Sequence, residues 1–305
     1  MFVRQIWRFM LIAGSAGILF SLQAGPKNEK PVVYTTFYPT QYFTQRIGGN
    51  DVAVVNPVPE NEDPIFWLPP REIIRKYHNA DLIVLNGAGF EEWVDMVTLP
   101  REKVVVTASP LKNEFITYEK AVTHSHGPGG EHAHEGLDGH TWLDPVYAKV
   151  QAERIQEALI ELLPEKKETL AGRFRSLIDD LDNLDKKLKA LGKNEIPLLM
   201  SHPAYNYIAR RYKWSIINLD LDPEKMPSHE HVKDIATIVS KTHARYLVWE
   251  GPPEENVKKH ISEKCGLTSI LFSPCELLGR KEREKGLDYM KIMNRNIENI
   301  SNAFN

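Results

Sequence analysis

From residue 32 onward, short apolar runs bounded by turn residues alternate with stretches of helical periodicity: 32–37, 41–47, 52–55, 71–77 and 82–85, with 104–106 continuing the series. Such alternation predicts a parallel sheet with crossover helices. The strand-like runs are apolar nearly throughout, as expected where helices cover both faces of a sheet. Asp144-Pro145 sets a capping carboxylate directly before a proline at the first helical position, and Val146, Val150, Ala158, Leu159 and Leu162 follow on one side. A helix should start there. Next comes the longest periodic stretch: Leu170, Phe174, Leu177, Leu181, Leu184, Leu188 and Leu191, at alternating spacings of four and three, closed by Gly192. A helix over 165–191 would extend roughly 40 Å. Its heptad suits a coiled-coil dimer or, as the favoured expectation, a single helix lying across two lobes.

Beyond that helix the alternation resumes at 198–200, 204–212, 216–219, 231–239, 246–249, 257–265 and 269–272. The last helix, near 287–304, presents Leu287, Met290, Ile297, Ile300 and Phe304 at helical spacing. The expected fold is therefore α/β, two lobes with central parallel sheets flanked by helices. The N-terminal lobe covers 31–164, the linking helix 165–191 and the C-terminal lobe 192–305. A length of 305 residues suits two such units.

Ahead of this pattern, Arg4 and Arg8 precede an apolar run over 9–22 that ends at Gln23-Ala24. That is the layout of a secretory signal peptide over 1–24 and predicts a periplasmic or otherwise extracytoplasmic protein. An uncleaved anchor is the competing reading, because Leu22 is a mediocre residue three before the cut. No lipobox cysteine follows, so no lipid anchor is expected. The net charge of -3 gives no electrostatic reason to expect nucleic acid as a partner. The two cysteines, Cys265 and Cys275, either pair in an oxidising compartment or stay as buried thiols. Cys275 is also a candidate soft metal ligand.

The candidate chemistry is concentrated in histidine. His124-Ser125-His126-Gly127-Pro128-Gly129-Gly130-Glu131-His132-Ala133-His134 is followed closely by His140, so five of the eleven histidines fall in this one segment. Neutral imidazole suits zinc, copper and nickel, while glycine and proline keep the 124–134 loop out of either sheet. A metal-capturing loop is the expectation. Glu250 follows Tyr246-Leu247-Val248-Trp249 at the C-terminal end of a predicted strand, where open α/β sheets bind ligands, as a ligand or as a group orienting one. His229 and His231 flank Glu230 at a helix start and read as cap residues. His78, His243 and His260 read as surface or packing residues.

Several segments together resemble the metal-specific solute-binding proteins of ABC transporters, the group that includes the zinc and manganese receptors. They are Thr36-Phe37-Tyr38-Pro39, the run 81–93, the histidine-rich loop, His140-Thr141-Trp142-Leu143-Asp144-Pro145 and Ser201-His202-Pro203-Ala204-Tyr205. The resemblance implies two α/β lobes joined by one long helix, with a metal in the cleft held by three histidines and a carboxylate or two of each. His140 and His202 fall on two of those positions, one per lobe. Pro64 stands in place of the family's first histidine and Ser273 in place of its late aspartate, and neither side chain suits zinc. Either neighbours substitute, with Asp63 on one side and Cys275, Glu276 or Glu250 on the other, or the cleft site is incomplete. The expected ligand set is His140, His202, Asp63 and Glu250.

The implied function is capture of a transition-metal ion, zinc first and manganese or another divalent metal next, for delivery to a membrane ABC permease by a monomer. Affinity should fall as pH drops through roughly 6.5, where imidazole protonates. Two other functions compete. An extracytoplasmic metal buffer or metallochaperone would share the site without a permease. A zinc hydrolase would need three ligands, an open position and a placed base, and no His-Glu-x-x-His run is present, so no enzyme is expected.

Overall fold

The computed structural model describes residues 30–118, 122–125, 131–134 and 136–304. The leader expected over 1–24 and His126 lie outside them. No described helix is long and apolar enough to cross a membrane.

The first sheet is built from β1 (Val32–Thr35), β2 (Ala53–Val55), β3 (Leu82–Leu85) and β4 (Val104–Val106), all parallel, in the order β2-β1-β3-β4. Helices α1 (Tyr38–Gly48) and α2 (Arg71–Asn79) supply its crossovers. A separate antiparallel hairpin, β5 (Val122–Ser125) and β6 (Glu131–His134), carries the histidine-rich segment, with His124 in register opposite His132. Its strands join neither large sheet. A bridge between Thr117 and Leu137 continues its ladder toward Asp138, whose N–H bonds the Ile116 carbonyl.

Helix α3 (Pro145–Leu162) begins at the Asp144-Pro145 pair, where the Asp144 side chain accepts a hydrogen bond from the Val146 N–H. That satisfies one of the helix's orphan donors. Helix α4 (Lys167–Leu191) follows a short 3₁₀ turn at Pro164–Lys166 and ends at Gly192, φ 78°. Its stripe of Leu170, Leu177, Leu181, Leu184 and Leu188 is buried within this chain, against α1 and α3 on one side and α9 (Tyr289–Ser301) on the other. The heptad is thus spent on intramolecular packing. Truncating one such leucine to alanine costs about 2–5 kcal/mol.

The second sheet comprises β7 (Leu198–Met200), β8 (Ile216–Asn218), β9 (Tyr246–Trp249) and β10 (Thr268–Leu271), all parallel, in the order β10-β9-β7-β8. Helices α5 (Asn206–Tyr212), α6 (His229–Thr242) and α7 (Glu255–Cys265) connect its strands, and the short α8 (Arg280–Glu284) precedes α9. Numbered within each lobe, the two sheets have the same order, 2-1-3-4. In such sheets the chain leaves the first strand to one side and returns on the other, so a crevice opens at the C-terminal ends of the first and third strands. One apolar cluster runs from Val33 and Phe37 through Trp142 and Leu181 to Tyr205, Phe272 and Tyr289, so residues of both lobes share it.

Candidate metal centre

His202 and Glu250 lie just beyond the C-terminal ends of β7 and β9, the two strands that flank the C-lobe crevice. His202 is followed by Pro203, which opens a 3₁₀ turn leading into α5. Both side chains are nearly or largely buried, and Glu250 Oε2 lies 3.1 Å from His202 Nδ1.

His140 reaches the same point from the N-lobe, on the loop between the hairpin and α3. It is 1% exposed and packs edge-on against the Phe90 ring and tilted against the Trp142 ring, 5.2 Å from the second between centroids. Asp138, fully buried, lies 2.8 Å from His140 Nδ1 and accepts the His140 N–H at 3.0 Å. A carboxylate accepts only, so Nδ1 carries the hydrogen and Nε2 faces the cleft. There Nε2 lies 2.8 Å from Glu276 Oε1, and the His140 and His202 rings are 5.4 Å apart. Donor atoms of His140, His202 and Glu276 all fall within 4.8 Å of one another, a spacing that suits a metal ion.

Glu276 arrives by way of a turn at residues 273–275. Ser273 Oγ accepts the Cys275 N–H, and Cys275 takes a left-handed φ of 66°. The N-lobe then fixes the turn: Trp142 Nε1 donates to the Pro274 carbonyl at 2.8 Å, and the Tyr38 N–H donates to the Glu276 carbonyl at 3.0 Å. Asn296 of α9 holds Ser273 through both its N–H and its carbonyl. Ser273 therefore shapes backbone, and the carboxylate comes three residues later. Glu276 was one candidate among several from sequence. The signal for choosing it, a Ser-Pro-Cys turn pinned by Trp142, is not local.

Asp63 and Glu250 line, with Glu276, a cavity of ≈ 490 Å³ that also includes Glu60, Glu62 and Glu224. Asp63 Oδ1 accepts the Ile65 N–H at 2.9 Å. Asp63 lies outside the three-residue group, but burial, with the nearby Glu276 charge, pushes its carboxyl up to about 7. Glu250 is likewise raised well above the usual carboxylate range, by burial first and then by Glu276 and Asp63. For His140, burial favours the neutral ring, but hydrogen bonds to Asp138 and Glu276 outweigh it and raise the imidazole to about 10. The protonation expected near 6.5 is therefore shifted well upward.

Cys275 is buried and lines the same cavity as Glu276, but it is not one of the three grouped donors. Cys265 belongs to a different C-lobe cluster, its thiol directed at the Val232 carbonyl, and both cysteines are free. His231 is at the start of α6, where its N–H is capped by Ser228.

The family model described as zinc-uptake complex component A, periplasmic (ZnuA), matches residues 33–303. The zinc-binding protein AdcA of Streptococcus pyogenes serotype M18 is 28% identical over 285 residues, covering 89% of this chain and 55% of AdcA. The chain thus spans about half the length of that relative. The high-affinity zinc uptake system protein ZnuA of Bacillus subtilis is 26% identical over 307 residues, covering 97% of this chain and 94% of that protein. Among solved structures, the Zn(II)-bound ZnuA-like domain of Streptococcus pneumoniae AdcA superposes with a TM-score of 0.76 at 25% identity, covering 90% of this chain and 98% of that one. The metal-dependent lipoprotein YcdH of Bacillus subtilis shares the fold, with a TM-score of 0.77 at 24% identity over 90% of this chain and 98% of its own.

Proposed function

We propose a function on the premise that the chain belongs to the ZnuA family, the periplasmic A components of zinc-uptake complexes: it is an extracytoplasmic solute-binding protein that captures a transition-metal ion, zinc, and delivers it to an ABC permease. The observation that carries this reading is the convergence of His140, His202 and Glu276 donors, from both lobes, within 4.8 Å of one another, with Glu276 also lining an acidic cavity. Two imidazoles and a carboxylate match zinc's preferred donors. Asp63, which lines the same cavity, supplies the fourth donor. Asp138 and Glu250 each stand at the Nδ1 atom of one histidine, the placement that orients an imidazole for metal binding.

Neutral imidazole binds metal, so His140 must give up its proton as the ion enters, and the surrounding carboxylates offset the ion's charge. The histidine-rich hairpin is the site of first encounter, and the cleft is the site of retention. As a binding protein, the chain has no turnover of its own.

Metal analysis tests this directly. With 124–134 deleted, the purified protein should retain one zinc ion per chain, and His140→Ala with His202→Ala should abolish it. Undiminished tight binding in that double variant would refute the cleft site. Manganese, cobalt and nickel competition would rank the cargo, and zinc-dependent binding to permease-containing vesicles would separate delivery from simple buffering. Esterase and peptidase assays with zinc should show no turnover.

A further inference from the structure

The carboxylate that orients His140 is itself held from the opposite lobe. Asp138 belongs to the N-lobe loop, yet its Oδ2 accepts a hydrogen bond from Asn206 Nδ2 at 2.9 Å. Asn206 is the first residue of α5, four positions after His202, and also donates to the Pro203 carbonyl at 3.0 Å. Its Oδ1 accepts from Asn218 Nδ2 at 2.9 Å, at the end of edge strand β8. The orientation of the Asn206 amide follows from chemistry: a carboxylate only accepts, so Asn206 must present its NH₂, and its oxygen is left for Asn218. Tyr207, the next residue, donates its hydroxyl to the Asp138 carbonyl at 2.8 Å. The Tyr118 hydroxyl also bonds Asp138, from the N-lobe side.

We infer that Asn206 is a positioning residue for metal capture, acting through Asp138 to aim His140 Nε2 at the ion only when the lobes are in register. The chain of contacts runs from β8 through Asn218, Asn206 and Asp138 to His140 Nδ1. Because Asn206 and His202 ride on the same C-lobe segment, a displacement of that segment moves one ligand and loosens the support of the other together. Separation of the lobes would then lower affinity at two of the donors at once, which favours release. The inference rests on the cleft reading above and specifies how the two lobes are coupled at that site.

Groups that orient a ligand typically carry 10–100-fold in metal affinity, and one step further out the expected loss is near the lower end, about tenfold. The test is a double-mutant cycle on the full chain: zinc affinity of the parent, Asn206→Ala, Asp138→Asn and the pair. Asn206→Ala should weaken zinc about tenfold, and that loss should largely vanish in the Asp138→Asn background. Additive losses would overturn the inference, since they would mean that Asn206 acts by packing α5. A second measurement does not need metal: nitrogen-15 spectra of the His140 imidazole in the metal-free protein should change on Asn206→Ala, and Asn206→Ser should restore part of the parent signal. An unchanged imidazole signature in folded Asn206→Ala would overturn the inference as well. A parent that binds no zinc but shows the imidazole change would refute the cleft reading while leaving the Asn206 linkage standing.

Discussion

Replacing Glu276 by glutamine alters the site in two opposing ways, and the balance between them depends on pH. The first effect is loss of an anionic donor. Four-ligand zinc sites bind with about 10–16 kcal/mol, so one donor is worth roughly 3 kcal/mol, a factor of about 10² in Kd. The second effect acts on the metal-free protein. Although burial opposes its charge, His140 is held protonated up to about 10 by Asp138 and Glu276, and Glu276→Gln removes one of the two carboxylates. Zinc must displace that proton in the parent throughout the neutral range, so parent Kd should weaken about tenfold for each pH unit lost. In the variant His140 gives up its proton more easily, which offsets part of the lost donor.

The Kd ratio of Glu276→Gln to parent should therefore approach about 10² only above about pH 10, where neither protein holds the His140 proton, and shrink as pH falls below that. Competition against a chromophoric chelator, corrected for the chelator's own protonation, measures it. A ratio near one at every pH would remove Glu276 from the ligand set. A large ratio that does not vary with pH would show that Glu276 ligates without holding the His140 proton, refuting the linkage.

Metal-free protein should lose thermal stability as pH rises from about 6 to about 9. His140, raised from 6.5 to about 10, stabilises fully below 6.5 and loses that contribution as pH climbs through 10; Asp63, raised from 3.8 to about 7, and Glu250, raised well above 4.5, have the same sign. Differential scanning fluorimetry checks it, and saturating zinc should flatten the trend; a metal-free Tm rising over this range would contradict it. Cys275→Ala should leave zinc stoichiometry unchanged, and the cobalt-loaded parent should show no thiolate-to-metal charge-transfer absorption. Gly139→Ala should weaken zinc binding, because a Cβ there would sit 2.9 Å from Phe90 Cβ and 3.2 Å from its Cα, displacing the residue next to His140; titration calorimetry would show it, and parent-like affinity would mean the loop absorbs the methyl.

What the sequence made legible was chiefly what local chemistry decides. The Asp144-Pro145 start of α3, the leucine stripe of α4 and its stop at Gly192 follow from capping, periodicity and a left-handed glycine, and each is found within two residues of its expected place. His140 and His202 stand out because each precedes a helical turn in a segment rich in other family residues. Glu276 does not, because its position depends on a left-handed Cys275 and on Trp142 and Tyr38 from the other lobe. The left-handed Cys275 makes the reversal that brings Glu276 to His140, and Cys275 itself is not among the three grouped donors. Asp138, which no spacing rule marks, matters only through contacts two residues and one lobe away.

The two lobes share one strand order but use it differently. In the C-lobe the ends of β7 and β9 open into the crevice and present His202 and Glu250. In the N-lobe the corresponding ends, Thr36 after β1 and Asn86 after β3, are closed by the chain itself. Glu91 folds back into that crevice and accepts hydrogen bonds from Thr36 Oγ1 at 2.5 Å, the Asn86 N–H at 2.6 Å and the Gly87 N–H at 2.9 Å. The left-handed run of Gly87, Ala88 and Gly89, φ 82°, 55° and 74°, makes the reversal possible. With that crevice filled by its own carboxylate, the N-lobe carries its proposed ligand, His140, on a loop instead. A loop ligand lacks the stiffness of a strand end. The Asn86 side chain braces this one by donating to the Gly139 carbonyl, Gln151 of α3 anchors Asn86 in turn, and Asp138 with Asn206 supplies the remaining constraint from across the cleft.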